Sequence, residues 1–289
     1  MTIDVKTLNS TDVSNAQNQV NAIAASALRV IAPKQFVYFA AFDGTNNDRD
    51  AVYKSGSKQD TNVAQLENQV ALANTNNTDI KSKYFAGPGT GGITDPSAAF
   101  PTSKIIEIAN TAYDDFASKA SLWLKDNPGG DVTATFASFS RGGAVAAVFS
   151  QILYDKGLVD PAPPHQVLIA PGQVGISAGV SYDPVGTGIS GNVAFAPNIR
   201  NVMIIRADNE YRTQFEAIDY TDQAGVSTYF MTGNHTDIGG GYDNGLGGKI
   251  GVRLQLNPEC QSWPTDQNQR PKRASRARQE QLLPIHLHF

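Results

Sequence analysis

A chain of 289 residues that is 40% hydrophobic and 17% charged has a globular composition, with room for one large α/β domain or two small ones. A formal net charge of -4 speaks against a general nucleic-acid binder. Cys260, the only cysteine, rules out an internal disulfide and a multi-thiolate metal centre.

Residues 1–34 are rich in Asn, Ser, Thr and Ala, and residues 20–30 have the pattern of a short helix closed by Pro33. The first twenty or so positions lack a basic segment followed by an apolar one, so no secretory signal peptide is expected and synthesis in the cytoplasm is. No apolar run approaches the length of a membrane span. Residues 36–42 are apolar at every position, which predicts a strand buried on both faces. It stops at the turn cluster Asp43-Gly44-Thr45-Asn46-Asn47. Residues 62–72 have helical spacing. Residues 83–86 read as a short strand running into Gly87-Pro88-Gly89-Thr90-Gly91-Gly92, and residues 103–124 as a long amphipathic helix.

The next segment is the most informative. A β-prone run over residues 132–139 ends at Ser140, followed by Arg141-Gly142-Gly143 and a small-residue helical run over 144–154. Strand, sharp turn and helix in that order, with a serine at the turn, form a nucleophile elbow. The flanking positions, Ser138 and Gly142, are small, as close strand–helix passage requires. Further on, residues 167–169 and 174–180 read as buried strand, leading to Tyr182-Asp183-Pro184. Residues 202–205 and 227–231 are the last strands, and the latter ends in Gly233-Asn234-His235-Thr236-Asp237. Buried strands alternating with helices predict an α/β fold with a mostly parallel central sheet and helices on both faces. The expected organisation is an N-terminal extension (1–34), a catalytic domain (35–248) and an irregular basic tail (249–289). In the tail Arg253, Arg270, Lys272, Arg273, Arg276 and Arg278 outnumber Glu259, Asp266 and Glu280. Its Arg270–Arg278 stretch is a candidate contact for anionic lipid.

A serine nucleophile needs a base, and the base needs an acid to orient it. Of the four histidines, His286 and His288 lie in the tail and His165 in a Pro-rich loop. His235 follows a strand and sits among glycines, in a loop expected at the same carboxyl edge as Ser140. The acid is expected between serine and histidine. Asp183 ends an apolar strand and is the first choice, Asp208 is its rival, and Asp237 is the third candidate. An oxyanion requires backbone N–H donors. The amide of Arg141 is one, and Gly44 or Thr45 in the loop after the first strand is the other. No metal and no cofactor is expected. The loop at residues 87–100, with Ile93 and Phe100, is a candidate lining or cover for an acyl pocket.

These segments together resemble a known family. Phe42-Asp43-Gly44-Thr45-Asn46-Asn47 is similar to its F-D-G-T-x-N opening, and Tyr84 with Gly87-Pro88-Gly89-Thr90-Gly91 to its Y-x-x-G-x-G-T-G loop. Ser138-Phe139-Ser140-Arg141-Gly142-Gly143 resembles its G-F-S-R-G-A elbow, with serine for the first glycine and glycine for the alanine. Asp208-Asn209-Glu210-Tyr211-Arg212 with Phe215 resembles its D-E-x-R…F element, and residues 233–242 its G-x-H-S-D-V-G-G-G-Y signature. The family is the uncharacterised-domain 2235 group of α/β hydrolases, which includes the type VI secretion phospholipase effectors called Tle1. The resemblance spans residues 36–242. It implies an α/β-hydrolase fold and a serine phospholipase, with Ser140 as nucleophile, Asp183 as acid and His235 as base. It implies phospholipid or another ester as substrate, contact with a membrane surface, delivery into a target cell, and secretion-spike and immunity proteins as partners. The alternatives are a non-lipid carboxylesterase, an inactive hydrolase-fold binding module, and a phosphate- or metal-handling protein using the two Gly-rich loops.

Overall fold

The structure, a computed structural model, describes residues 34–51, 60–91 and 95–241. The expectations for residues 1–33, Ile93 and Tyr242, and for the tail with Cys260, His286 and His288, lie outside the described residues.

Strand β1 (Gln35–Phe42) turns alternate side chains to opposite faces. Phe36, Tyr38, Ala40 and Phe42 join the larger of two cores, and Phe39 and Ala41 the smaller. β1 pairs with β2 (Ile80–Phe85) on one side and β3 (Asp131–Phe139) on the other. β6 (Gly175–Tyr182), β7 (Val202–Ala207) and β8 (Val226–Met231) complete a six-stranded sheet of order β2-β1-β3-β6-β7-β8, with every pairing parallel. β2 is longer than its sequence signal, because Lys81 and Lys83 interrupt the apolar pattern on an edge strand, where polar residues are tolerated.

Helix α2 (Thr102–Asp126) places Ile105, Ile108, Ala109, Ala112, Tyr113, Phe116, Ala120 and Trp123 inward at three- and four-residue spacing. With α3 (Gly142–Lys156), rich in Gly and Ala, it covers the larger core. Each large side chain buried this way contributes about 1.5–3 kcal/mol. On the other face α1 (Asn62–Ala73) and the short α4 (His235–Gly239) supply Val63 and Ile238 to the smaller core. The α/β class, the mostly parallel sheet and the helices on both faces are as expected from the sequence.

Two assignments are corrected. The segment expected as buried strand at 167–169 is not in the main sheet. Strand β5 (Val167–Ile169) pairs antiparallel with β4 (Leu158–Val159), and Val167 is 54% exposed. Three apolar residues in a row do not distinguish a core strand from an outlying ribbon. His235 stands in the first turn of α4 rather than in a loop. Asn234 caps that turn by accepting from the amides of Thr236 and Asp237, and Asp237 accepts in return from the Asn234 N–H.

Candidate active site

Because the strands run parallel, β1, β3, β6, β7 and β8 deliver their following turns to one edge of the sheet. Those turns carry Asp43, Ser140, Asp183, Asp208 and His235.

Ser140 sits between β3 and α3 at φ 55°, in the left-handed region where a side chain is strained. Its amide donates to Tyr182 O and its carbonyl accepts from Val185 N–H, so both its backbone groups are held by the β6 edge. Gly142 is required by close approach. A Cβ there would lie 2.3 Å from Phe42 O, inside the end of β1. Ser138, at the position where the elbow pattern has glycine, is fully buried and donates to Ser181 Oγ at 2.8 Å.

Asp183 leaves β6, the neighbour of the serine strand, at φ 39°. Its Oδ1 accepts the Ala207 N–H at 2.9 Å, and its Oδ2 lies 2.7 Å from His235 Nδ1. This fixes Nδ1 as the nitrogen turned to the carboxylate and leaves Nε2 for other partners. Exposure is 4% for Ser140, 2% for Asp183 and 3% for His235. Of the three acids considered, Asp183 is the one the structure brings to His235. The Asp208 amide donates to Met231 O, and the Asp237 carboxylate accepts the N–H of Asn234, the N-cap of α4.

The imidazole lies between two phenyl rings, with Phe139 and Phe215 each at 4.6 Å between centroids. Among the described residues Ser140 Oγ forms no hydrogen bond with His235. Phe139 provides the link between elbow and histidine, and such bonds often tighten only with substrate present.

Around His235 stands a frame built from the 208–215 motif. Glu210 Oε2 accepts the His235 N–H at 3.2 Å. Arg212 grips Glu210 with two of its guanidinium nitrogens, Nε to Oε1 at 2.8 Å and Nη2 to Oε2 at 2.6 Å. The guanidinium lies 4.0 Å over the ring of Phe215. Arg212 holds the Glu210 carboxyl down to about 2, helped by the amides of Arg212 and His235. The sequence signal for this frame is the resemblance of residues 208–212 with Phe215 to the D-E-x-R…F element.

The expected oxyanion donors part company. The Gly44 N–H is bound to Asp43 Oδ1 at 2.8 Å and is not available to a ligand. The amides of Arg141 and Thr45 meet no protein acceptor among the described residues. The Arg141 side chain ties the elbow to this loop, with Nη1 donating to Thr45 Oγ1 and Nε to Thr187 O, each at 2.9 Å. The loop's other support is the segment expected to line an acyl pocket. Gly87 N–H donates to Asn47 O, Asn46 N–H donates to Pro88 O, and a Cβ on Gly87 would overlap Gly44 O at 1.8 Å. The described part of that segment therefore buttresses the Asp43–Asn47 turn, while Phe100 is 76% exposed.

A cavity of about 430 Å³ opens beside Asp183, between Arg206, Tyr211, Arg212, Phe215 and Glu216, and neither Ser140 nor His235 lines it. No cluster of three or more His, Cys, Asp or Glu side chains among the described residues could hold a metal ion. Nor is any described helix long and apolar enough to cross a membrane.

No protein-family model and no curated protein matches the chain. Solved structures do. A protein of Pseudomonas aeruginosa, described as uncharacterized, aligns over 91% of this chain and 54% of its own, at 14% identity and a TM-score of 0.51. The Tle1 effector bound to the VgrG spike of the Type 6 secretion system aligns over 73% of this chain and 51% of its own, at 16% identity and a TM-score of 0.47. Esterase PE8 aligns over 78% of this chain and 93% of its own, at 14% identity and a TM-score of 0.37. The chain spans about half the length of the first two, and the likeness to the first concerns the fold alone. Parallel sheet order and a serine elbow between β3 and α3 make the architecture α/β-hydrolase-like.

Proposed function

We propose that the chain is a serine hydrolase that cleaves carboxylic esters through an acyl-enzyme, with Ser140 as nucleophile, His235 as base and Asp183 as the acid that orients it. The observation that carries this reading is the buried 2.7 Å contact of His235 Nδ1 with Asp183 Oδ2, at the sheet edge where the strained turn presents Ser140. Ser140 Oγ attacks the acyl carbonyl and His235 Nε2 takes its proton. Asp183 holds the tautomer and stabilises the imidazolium that forms. The Arg141 and Thr45 amides receive the oxyanion, and each donor of this kind is worth about 10²–10³ in kcat. His235 then returns the proton to the leaving alcohol, and a water activated by the same nitrogen releases the acid.

The substrate class we propose is phospholipid. It rests on the resemblance of five motifs, in family order, to the domain-2235 hydrolases. The same resemblance supports membrane-surface contact, delivery by a type VI secretion system, and secretion-spike and immunity proteins as partners. The test is fatty-acid release from vesicles of phosphatidylethanolamine and phosphatidylglycerol by the wild type and by Ser140→Ala. Release that disappears in the variant supports the serine mechanism, and the lysolipid isomer identifies the positional class. Equal release by both discards Ser140 as nucleophile. Wild-type hydrolysis of a short-chain nitrophenyl ester without lipid release leaves a non-lipid carboxylesterase. Inertness toward both leaves a hydrolase-fold binding module.

A further inference from the structure

The serine-hydrolase reading assigns no role to Asp43, a 2% exposed carboxylate at the end of β1. Its two oxygens are engaged by three donors. Oδ1 accepts the Gly44 N–H at 2.8 Å, and Oδ2 accepts both Thr61 Oγ1 and the Tyr84 hydroxyl at 2.7 Å. None of the three donors is a cation, so the carboxylate has no ion pair among these contacts to repay its burial. A buried carboxylate on neutral donors is a costly way to close a turn, and its position accounts for the cost.

Three connections converge on it. A Cβ on Gly44 would lie 2.9 Å from Ser140 Cβ, so the amide that Asp43 captures belongs to the residue packed against the nucleophile. With that amide drawn to Oδ1, the next one along, Thr45 N–H, meets no acceptor among the described residues. Thr61 caps α1 by accepting the Ala64 N–H and forms an antiparallel bridge with Gly240, directly after α4. Asn62 Nδ2 donates to Ile238 O at 2.7 Å, inside α4 itself. Tyr84 belongs to β2 and its hydroxyl also accepts the Arg49 N–H. One carboxylate thus joins the loop beside Ser140 to the helix that carries His235.

We infer that Asp43 is a positioning residue: by capturing the Gly44 amide it turns the Thr45 amide toward the acyl oxygen, and through Thr61 it sets that loop against the His235 helix. This rests on the serine-hydrolase reading, and the test separates the two.

The full chain is assayed on para-nitrophenyl butyrate and on the thiono analogue, whose sulfur accepts oxyanion-hole hydrogen bonds poorly. Ser140→Ala runs alongside, and thermal melts establish folding. In Asp43→Ala we expect kcat to fall about 100-fold with KM within about twofold, as for loss of one oxyanion donor. The ratio of ester to thionoester rates should fall about tenfold, whereas a merely loosened fold slows both substrates alike. Asp43→Asn should return kcat to within about tenfold of wild type, because its Oδ1 accepts the same N–H while the two hydroxyls rotate to accept from its amide. If Asp43→Ala does not fold, Tyr84→Phe carries the test, with kcat about fivefold lower at unchanged KM. A folded Asp43→Ala or Tyr84→Phe with kcat within about twofold of wild type overturns the inference, as do equal losses on the two esters. If the wild type is active and Ser140→Ala is not, such a result overturns this inference alone. A wild type inert toward both this ester and the phospholipid vesicles, or an active Ser140→Ala, overturns the serine reading and this inference with it; if the wild type cleaves only the vesicles, the same variants are compared on fatty-acid release.

Discussion

Asp43 and Glu210 both stand in turns at the carboxyl edge of the sheet, and both brace the candidate site through backbone amides. They are held in opposite ways. Asp43 meets only neutral donors and is buried, which pushes its carboxyl up to about 6. Glu210 is gripped by the Arg212 guanidinium, which draws its carboxyl down to about 2. The proposed oxyanion side is therefore a hydrogen-bonded, desolvated junction between elements far apart in sequence. The histidine side is a local, charged frame over residues 210–215. A junction fails when one atom is misplaced, whereas a frame with several partial contacts loses them gradually.

The sharpest way to break the comparison is to displace the oxyanion loop without touching a polar group. Gly87→Ala puts a methyl where Gly44 O now lies. We expect kcat to fall about 100-fold with a stability loss of about 1–3 kcal/mol, read from steady-state kinetics and a urea melt. On the histidine side Arg212→Ala removes the grip on Glu210 and the cover of Phe215, and kcat should fall about tenfold. Arg212→Lys should not restore it, because an ammonium neither grips bidentately nor stacks on the ring. Equal losses at Gly87 and Arg212 would dissolve the distinction between the two sides.

The smallest effect is the most specific. Asp43 binds its proton more tightly folded than at its ordinary 3.8, so its stabilising contribution is full below that value and is lost as pH rises through about 6. The melting temperature of Asp43→Asn should therefore rise relative to wild type between about pH 4 and pH 7, by a few degrees. Glu210 binds its proton less tightly folded than at its ordinary 4.5, so its contribution is present above that value and is lost as pH falls through about 2. The melting temperature of Glu210→Gln should fall relative to wild type between about pH 2 and pH 5. Slopes of the same sign in thermal melts across these ranges would contradict the account.

The two sides also differ in how far the sequence discloses them. β1 and β7 are legible because the apolar run is unbroken, and β3 because its buried positions are apolar or β-prone threonine. Asp183 and His235 are legible because each ends or follows such a run. The frame on His235 is not, since Glu210-Tyr211-Arg212 is an ordinary charged turn until Phe215 and the His235 amide come together in space. The choice between Gly44 and Thr45 is equally hidden, because it depends on which amide Asp43 captures. The Asn234–Asp237 spacing carried a capping-box signal that the surrounding glycines masked.

The central claim is that Ser140 is an activated nucleophile served by the Asp183–His235 pair. The most direct measurement is covalent labelling of the full chain with a fluorophosphonate, mapped by peptide mass spectrometry in the wild type, Ser140→Ala and Asp183→Asn. The account predicts one adduct per chain, on the peptide that contains Ser140. It also predicts no adduct in Ser140→Ala and labelling at least about 10³-fold slower in Asp183→Asn, where the histidine tautomer is lost. A wild-type chain that resists the reagent, or an adduct that persists in Ser140→Ala, would contradict it.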